Sequence, residues 1–258
     1  MGEIGTFGTG SVLSLKDTTE PVLNVQRRSK MQNIEIIYED NHIIVMKKQP
    51  NIPSQADKTE DMDMLTIIKD YIKKKYDKPG NVYLGLVHRL DRPVGGVMVF
   101  AKTSKAASRL SDQVREKVFK KKYLAVVDGK FNSNTGTLED YLYKDERNNM
   151  SKVVNKEKKN AKLAKLDYEV LAYNELKNLS LVKVNLHTGR HHQIRVQLSH
   201  AGHSIFGDQK YGTRGQGKQI ALWAYELTIQ HPITKEEMTF KCLPESNGTW
   251  CILRDLNI

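Results

Sequence analysis

The stretch LVHRLDRPVGGVMVFAKT, residues 86–103, breaks a strand-like pattern with a compact group of charges. Asp91 stands between Arg89 and Arg92, and Pro93 and two glycines follow. An acid two residues before a proline is commonly a turn residue. The alternative is a catalytic site, because flanking cations would keep the carboxylate ionised and glycines would let a ligand approach the backbone closely.

Composition narrows the class of protein. The chain has 258 residues, 39% of them hydrophobic, and a net charge of +11. This is enough for one large domain or two packed halves, and the charge favours a nucleic-acid partner over an anionic membrane. A basic surface without a partner is the alternative. The two cysteines, Cys242 and Cys251, form no CxxC pair, which is typical of a protein of the reducing cytoplasm. No apolar run approaches the roughly 20 residues that a membrane-spanning helix needs.

The first 30 residues differ from the rest. Residues 1–30 begin with a Gly/Ser/Thr-rich run and show no sustained period, whereas Met31 opens a well-patterned sequence. We interpret residues 1–30 as an expression leader or a disordered tail, and residues 31–258 as the folded domain.

The remaining pattern predicts more strands than helices. Residues 34–48 read as a β-hairpin, 63–76 and 103–116 as amphipathic helices, and 144–162 as a mobile loop or weak hairpin at a subdomain boundary. The strands do not alternate regularly with the helices. We therefore expect an α+β fold with a largely antiparallel sheet.

A second charged group is HTGRHHQIR, residues 187–195. We predict a helix with Thr188 as N-cap, ended by Gly202, in which His191 and Arg195 share a face. Arg190 would then lie in the first turn, where the helix dipole opposes a cation, so a carboxylate or phosphate partner is expected. An ordinary basic surface helix is the alternative.

Metal and nucleotide sites lack their usual signals. The adjacent His191 and His192 are expected to point apart, and no HExxH is present, so no metal site is predicted. The chain also contains no GxxxxGK[ST], no GxGxxG after a strand and no GxSxG. No cofactor is expected.

A third stretch, FKKKYLAVVDG at residues 119–129, reads as a strand. Lys120 and Lys122 would lie on one face, and Lys121 and Tyr123 on the other. The lysines could protect a sheet edge. Alternatively, they bind phosphates while the phenol stacks or transfers a proton.

Together these segments resemble the RluA-type family of RNA pseudouridine synthases. The similarity runs from about Ile34 to Leu243, and an HRLD segment followed by TGRxHQIR about 100 residues later is specific to that family. The segments are IIYEDNHIIVMKK, HRLDRPVGGVMVFAKT, KKYLAVVDG, HTGRHHQIRVQLSHAGHSIFGDQKYG and LWAYELTIQHP.

The resemblance implies a mixed central sheet in two halves with a catalytic cleft, and a cofactor-free isomerase that converts uridine in RNA to pseudouridine. Asp91 would be the catalytic carboxylate, Tyr123 would pack on the uracil as a candidate for proton transfer, and Arg190 would pair with Asp91. Arg89 would displace the target base, and Leu222 would line the base pocket. Further RNA contacts are expected from His192, Gln193, Arg195, Lys120, Lys121 and Lys122.

The sequence departs from the family at two places. Val94-Gly95-Gly96 replaces the usual Thr-Ser-Gly after the aspartate, and KKQPNIPSQ replaces the usual Lys-Pro-x-Gly.

No separate N-terminal RNA-binding domain is expected. The expected partner is structured RNA, ribosomal or transfer, bound by a cytoplasmic monomer with no obligatory protein partner. A non-catalytic RNA-binding protein on this scaffold is the alternative, and a metal-dependent phosphodiesterase is a more distant one.

Overall fold

Strands dominate the computed structural model, which describes Met1 and residues 35–59, 61–215 and 218–253. The predicted leader at 1–30 lies, apart from Met1, outside the described residues. The described strands are β1 (Glu35–Glu39), β2 (Ile43–Lys48), β3 (Gly85–Leu86), β4 (Gly95–Ala101), β5 (Lys120–Asp128), β6 (Thr135–Asp145), β7 (Met150–Val154), β8 (Lys162–Asn174), β9 (Leu179–Leu186), β10 (Leu222–Gln230) and β11 (Glu237–Lys241).

All eleven described strands belong to one sheet. Its order is β1-β2-β4-β10-β5-β9-β8-β6-β7, with β3 on β4 and β11 on β10. Among the described strands only β4 and β10 run parallel; the other pairs are antiparallel. This confirms the expected α+β class with a mixed, largely antiparallel sheet. Strand β10 joins the two halves, because it pairs with β4 on one side and β5 on the other.

Three α-helices cover the sheet within the described residues: α1 (Met64–Lys75), α2 (Ser104–Arg115) and α3 (Gln193–His200). A 3-10 helix (Gly248–Leu253) follows the last strand. Asp63 caps α1 and Thr103 caps α2 through side-chain oxygens, which satisfies N–H groups that have no partner within the helix. The two predicted amphipathic helices are confirmed. No helix among the described residues is long and apolar enough to cross a membrane.

The two glycines after Val94 allow β4 to pack closely against β10; they do not make room for a ligand. A Cβ on Gly95 would meet the Trp223 ring at 2.3 Å, and one on Gly96 would meet the Ala224 carbonyl oxygen at 2.2 Å. Gly96 also has φ +127°, which glycine adopts without strain. The expectation that these glycines admit a ligand is wrong: they let β4 and β10 approach and so join the two halves of the sheet.

The cation-rich stretch 144–162 contains ordered structure. Its first part pairs β6 with β7 from Tyr141↔Val154 to Asp145↔Met150, and Asn149 takes the turn at φ 47°. The hairpin alternative is therefore confirmed for this part, and β7 lies at the edge of the sheet. The hairpin predicted at 34–48 is also confirmed by the pairing of β1 with β2.

Candidate active site

Asp91 lies on a loop between β3 and β4 that several buried groups hold in place. The Lys48 ammonium, fully buried, donates to the carbonyl oxygens of Arg92 at 2.9 Å and Val94 at 2.7 Å. The Ser54 hydroxyl donates to the Leu90 carbonyl oxygen at 2.9 Å. Burial lowers the pKa of Lys48 to about 7, and the negative charge of Asp91 acts in the opposite direction. These bonds satisfy loop carbonyls that would otherwise be buried without partners.

The Asp91 carboxylate meets two side chains from the region of α3. Its Oδ2 accepts from Nη1 of Arg195 at 3.1 Å and lies 3.6 Å from Nε2 of His192. Within the described residues, Oδ1 has no hydrogen-bond partner, and 30% of the side chain is exposed. The carboxylate is therefore anchored through one oxygen and open at the other.

The cations beside Asp91 in sequence do not contact it. Arg92 pairs instead with Asp57 and Asp61. Arg89 is exposed and has no hydrogen bond or ion pair to another described residue. Neither sequence neighbour therefore supplies the ion pair of Asp91, which comes from Arg195 instead.

Arg195 is itself clamped by a second carboxylate. Its Nε donates to Oδ2 of Asp208 at 2.8 Å, and its Nη2 donates to Oδ1 at 2.6 Å. Both residues are buried, and Asp208 is fully so. Burial opposes the charge of Arg195, but the hydrogen bonds to Asp208 outweigh it and raise the arginine pKa; the Arg195 guanidinium likewise lowers the pKa of Asp208. A planar fork bound on one edge presents the third nitrogen in a fixed direction.

The predicted ion pair between Arg190 and Asp91 is wrong. Arg190 donates from Nε to the Leu163 carbonyl oxygen at 2.9 Å, and the cation on Asp91 is Arg195. The cause is the start of α3, which begins at Gln193 rather than just after Thr188. Arg190 thus precedes the helix, and the argument from the first turn does not apply.

A left-handed residue sets this start. His192 has φ 53° and ψ 23°, a conformation uncommon outside glycine and asparagine, so the chain cannot continue as a helix through it. The predicted N-cap, Thr188, instead donates to Oε1 of Gln193 at 2.7 Å. The rings of His191 and His192 stack at 3.8 Å instead of pointing apart, as expected from a helix.

Gln193 supports this turn. Its side-chain oxygen, Oε1, accepts hydrogen bonds from the Thr188 hydroxyl and from the Arg190 backbone N–H. Its side-chain nitrogen, Nε2, donates to the Lys165 backbone carbonyl oxygen and to Oε1 of Gln197. The side chain is buried. The RNA contact predicted for Gln193 is therefore not supported, because its polar atoms already bind protein groups.

Tyr123 lies in β5 on the face expected for it. The side chain is buried, and burial, together with the negative charge of Asp91, raises the pKa of its phenol. Tyr123 therefore stays protonated. Leu222 pairs with Ala125 and Ala224 with Tyr123 in the register of β10 with β5, so Leu222 lies on the same side of the sheet as the phenol.

The three consecutive lysines differ in their surroundings. Lys120 pairs with Glu237 at 3.3 Å, and Lys122 pairs with Glu226 at 2.6 Å. Lys121 has no ion pair within the described residues and is partly buried near Gly189, and burial lowers its pKa. The alternation predicted for this strand is visible in these contacts, and only Lys121 shares the face of Tyr123.

Sequence reasoning assigned no role to Lys48, Asp208 or Tyr211. Asp208 and Tyr211 lie in FGDQKYG, a segment that resembles the family but carries no recognisable motif of its own. The signal for Asp208 is a buried acid near a buried arginine, which becomes visible only when the fold brings them together. No group of three or more histidine, cysteine or acidic side chains that could hold a metal occurs among the described residues.

Comparison with known proteins defines the class. The family described as RNA pseudouridylate synthase matches residues 42–200, more than half of the chain. The chain therefore belongs to the RNA pseudouridylate synthase family.

Individual relatives agree with the RluA-type resemblance. The dual-specificity RNA pseudouridine synthase RluA of Escherichia coli O157:H7 is 34% identical over 212 residues, covering 80% of this chain and 91% of that protein. The uncharacterized RNA pseudouridine synthase YhcT of Bacillus subtilis is 33% identical over 79% of this chain, which spans 66% of the relative's length. The solved structure of Human RNA Pseudouridylate Synthase Domain Containing 4 has a TM-score of 0.70 at 23% identity, over 86% of this chain and 92% of that one. That structure supports the fold.

Proposed function

We propose that this protein isomerises specific uridines in RNA to pseudouridine with Asp91 as the catalytic carboxylate. The N1–C1′ bond of the uridine breaks, the uracil turns, and a C5–C1′ bond forms, so the proton on C5 leaves and one returns to N1. The observation that carries the proposal is the Asp91 carboxylate, anchored at Oδ2 by Arg195 and open at Oδ1. Family membership supports the same reaction.

The open oxygen is the chemically useful one. Oδ1 of Asp91 either bonds to C1′ or removes the C2′ proton in a glycal-type route, and both routes need an ionised, oriented carboxylate. Arg195 supplies the orientation, because Asp208 fixes its other two nitrogens. A protein that only binds RNA has no need of a carboxylate held in this way.

The residues around Asp91 are suited to hold the uracil while it is detached from the ribose. Tyr123 packs on the uracil, and Leu222, on the same side of the sheet, lines the pocket that keeps the base from leaving. Because its raised pKa keeps the phenol of Tyr123 protonated, this group is better suited to donate a proton than to accept one. Arg89, exposed and unpaired among the described residues, is suited to fill the stack that the flipped uridine leaves.

Structured RNA, ribosomal or transfer, is the proposed substrate. The net charge of +11 supports a polyanionic partner, and Lys121 offers a cation whose charge no described acid neutralises. We propose that the protein acts as a monomer with no obligatory protein partner. We place the enzyme in the cytoplasm, where such RNA is modified.

The proposal is tested with unmodified transcripts of transfer and ribosomal RNA. Incubation with the purified protein should create pseudouridine at one or a few positions, detected by chemical mapping, and the Asp91→Asn variant should create none. Transcripts that remain unmodified although they bind, together with unmodified cellular RNA after overexpression, would contradict the proposal and favour the RNA-binding alternative.

A further inference from the structure

Tyr211 lies between β7 and α3 and connects both to the Asp91 site. Its phenol oxygen accepts a hydrogen bond from the backbone N–H of Ser151 at 2.7 Å. The same oxygen lies 2.9 Å from Nδ1 of His192. Because a backbone N–H can only donate, the phenol must be the acceptor towards Ser151, and its own proton remains available for a second partner.

Within the described residues, that second partner is Nδ1 of His192. Burial raises the pKa of Tyr211, so the phenol keeps its proton. Burial also lowers the pKa of His192 to about 3, against the attraction of Asp91, so the ring is neutral and carries one proton. Tyr211 donating to Nδ1 leaves this proton on Nε2, the nitrogen 3.6 Å from Oδ2 of Asp91.

The opposite tautomer fits the contacts less well. It would direct the Nε2 lone pair at a carboxylate oxygen, and it would leave the phenol proton without a described acceptor. The ring is also fixed in orientation. It stacks on His191 at 3.8 Å and meets the Tyr211 ring edge-on at 5.6 Å and 84°. The left-handed backbone of His192 is the kind of local strain that a surrounding structure maintains at functional sites.

We propose that Tyr211 and His192 are positioning residues for Asp91: Tyr211 sets the His192 tautomer, and the Nε2–H then points at Oδ2 beside Arg195. Arg195 donates to Oδ2, the Nε2–H adds a favourable electrostatic contact to the same oxygen at 3.6 Å, and Oδ1 is left to the substrate. This replaces the direct RNA contact expected for His192, which is buried. The inference rests on the proposed function for its catalytic consequence, but the tautomer itself does not.

The tautomer can be read directly by NMR of protein labelled with 15N-histidine. Wild-type His192, assigned by comparison with His192→Gln, should show a protonated Nε2 and an unprotonated Nδ1. Tyr211→Phe should lose this preference and give a mixture. An Nδ1–H tautomer in the wild type would overturn the inference, whatever RNA the enzyme modifies.

The catalytic consequence is measured by kinetics on a transcript that the wild type modifies. Tyr211→Phe should lower kcat about tenfold or more with KM for the RNA within about twofold, because the carboxylate loses its orientation and RNA contacts remain. The matched control is Tyr173→Phe, which removes a phenol that donates to Asn178 at 2.9 Å on an exposed part of β8. It should leave kcat unchanged, and unfolding curves of both variants would identify a mere loss of folding.

A double-mutant cycle separates positioning from general support. In His192→Gln the side-chain amide offers a donor towards Asp91 that does not depend on Tyr211, so adding Tyr211→Phe should cost much less than it does in the wild type. Equal losses in both backgrounds would overturn the inference. If no transcript is modified by the wild type, the proposed function fails while the NMR result still decides the tautomer.

Discussion

Arg195 donates from Nη1 to Oδ2 of Asp91 across 3.1 Å, although 104 residues separate the two in the chain. Asp208 holds the other edge of the guanidinium through two hydrogen bonds. The orientation of the carboxylate is therefore fixed before RNA arrives, so little reorganisation is needed when the reaction begins.

This pair predicts a contrast between two arginines of one motif. Arg195→Lys should lower the single-turnover rate about 10²-fold or more, because an ammonium cannot hold both carboxylates at fixed angles. Arg190→Lys is the matched control and should retain most of the activity, since Arg190 binds a backbone carbonyl away from Asp91. A larger loss in the Arg190 variant would restore the assignment that the structure rejects.

Removal of the Arg195 charge should also destabilise the protein. Arg195→Met leaves Asp208 buried without its cation, and breaking a buried pair in this way costs about 3–5 kcal/mol. Urea unfolding of Arg195→Met and of the double variant Arg195→Met/Asp208→Leu measures this. The double variant should recover part of the lost free energy of unfolding. Equal stability of the single and the double variant would contradict the view that the unpaired charge of Asp208 causes the loss.

Asp91→Asn should abolish isomerisation and leave RNA affinity close to that of the wild type. The amide keeps the size of the side chain but loses the anionic oxygen on which both proposed routes depend. Single-turnover assays and filter binding on the same transcript separate the two properties. Residual turnover above about one part in a thousand would contradict a contribution of several kcal/mol from the carboxylate.

Sequence patterns predicted the sheet better than the site. The strands were predictable because short, buried apolar runs such as β4 leave few alternatives. The start of α3 was not, because Thr188 matches a capping residue whereas the left-handed His192 has no sequence signature. The wrong prediction that Arg190, and not Arg195, pairs with Asp91 follows from that error. Lys48 and Asp208 could not be found, because only the fold brings Lys48 to the carbonyl of Val94 and Asp208 to the guanidinium of Arg195.

Tyr123→Phe tests whether the phenol acts as more than a packing surface. If its proton is transferred, the rate should fall about 10²-fold with RNA binding little changed. The aromatic ring still fills the buried space in β5, so the melting temperature should stay close to that of the wild type. A phenylalanine variant with the wild-type rate would confine Tyr123 to packing on the uracil.

The three lysines at the start of β5 offer a test with built-in controls. Lys121→Gln should weaken RNA binding and reduce the slope of log affinity against log salt by up to about one, because one phosphate contact is lost. Lys120→Gln and Lys122→Gln should change the slope less, since glutamates already neutralise these lysines. The same slope for all three variants would remove Lys121 from the footprint.

Lys48 predicts a dependence of stability on pH. Its pKa is lowered to about 7 in the folded protein, against 10.5 ordinarily, so the unfolded chain binds more protons between these values. Relative to Lys48→Met, the wild type should therefore gain stability as pH rises from about 7 to 10, by at most about 1.4 kcal/mol per pH unit. Urea unfolding of both proteins at several pH values checks this; a constant difference would show that the lysine keeps an ordinary pKa.

The place of β10 in the sheet has a consequence for biosynthesis. Strand β4 and strand β5 are both made before residue 222, yet β10 lies between them. A nascent chain that still has Leu222–Gln230 inside the ribosome cannot join the strand after Asp91 to the strand that carries Tyr123. The two strands that carry the site are therefore joined in one sheet only after β10 has been synthesised, so catalytic competence cannot arise before residue 230 has left the ribosome.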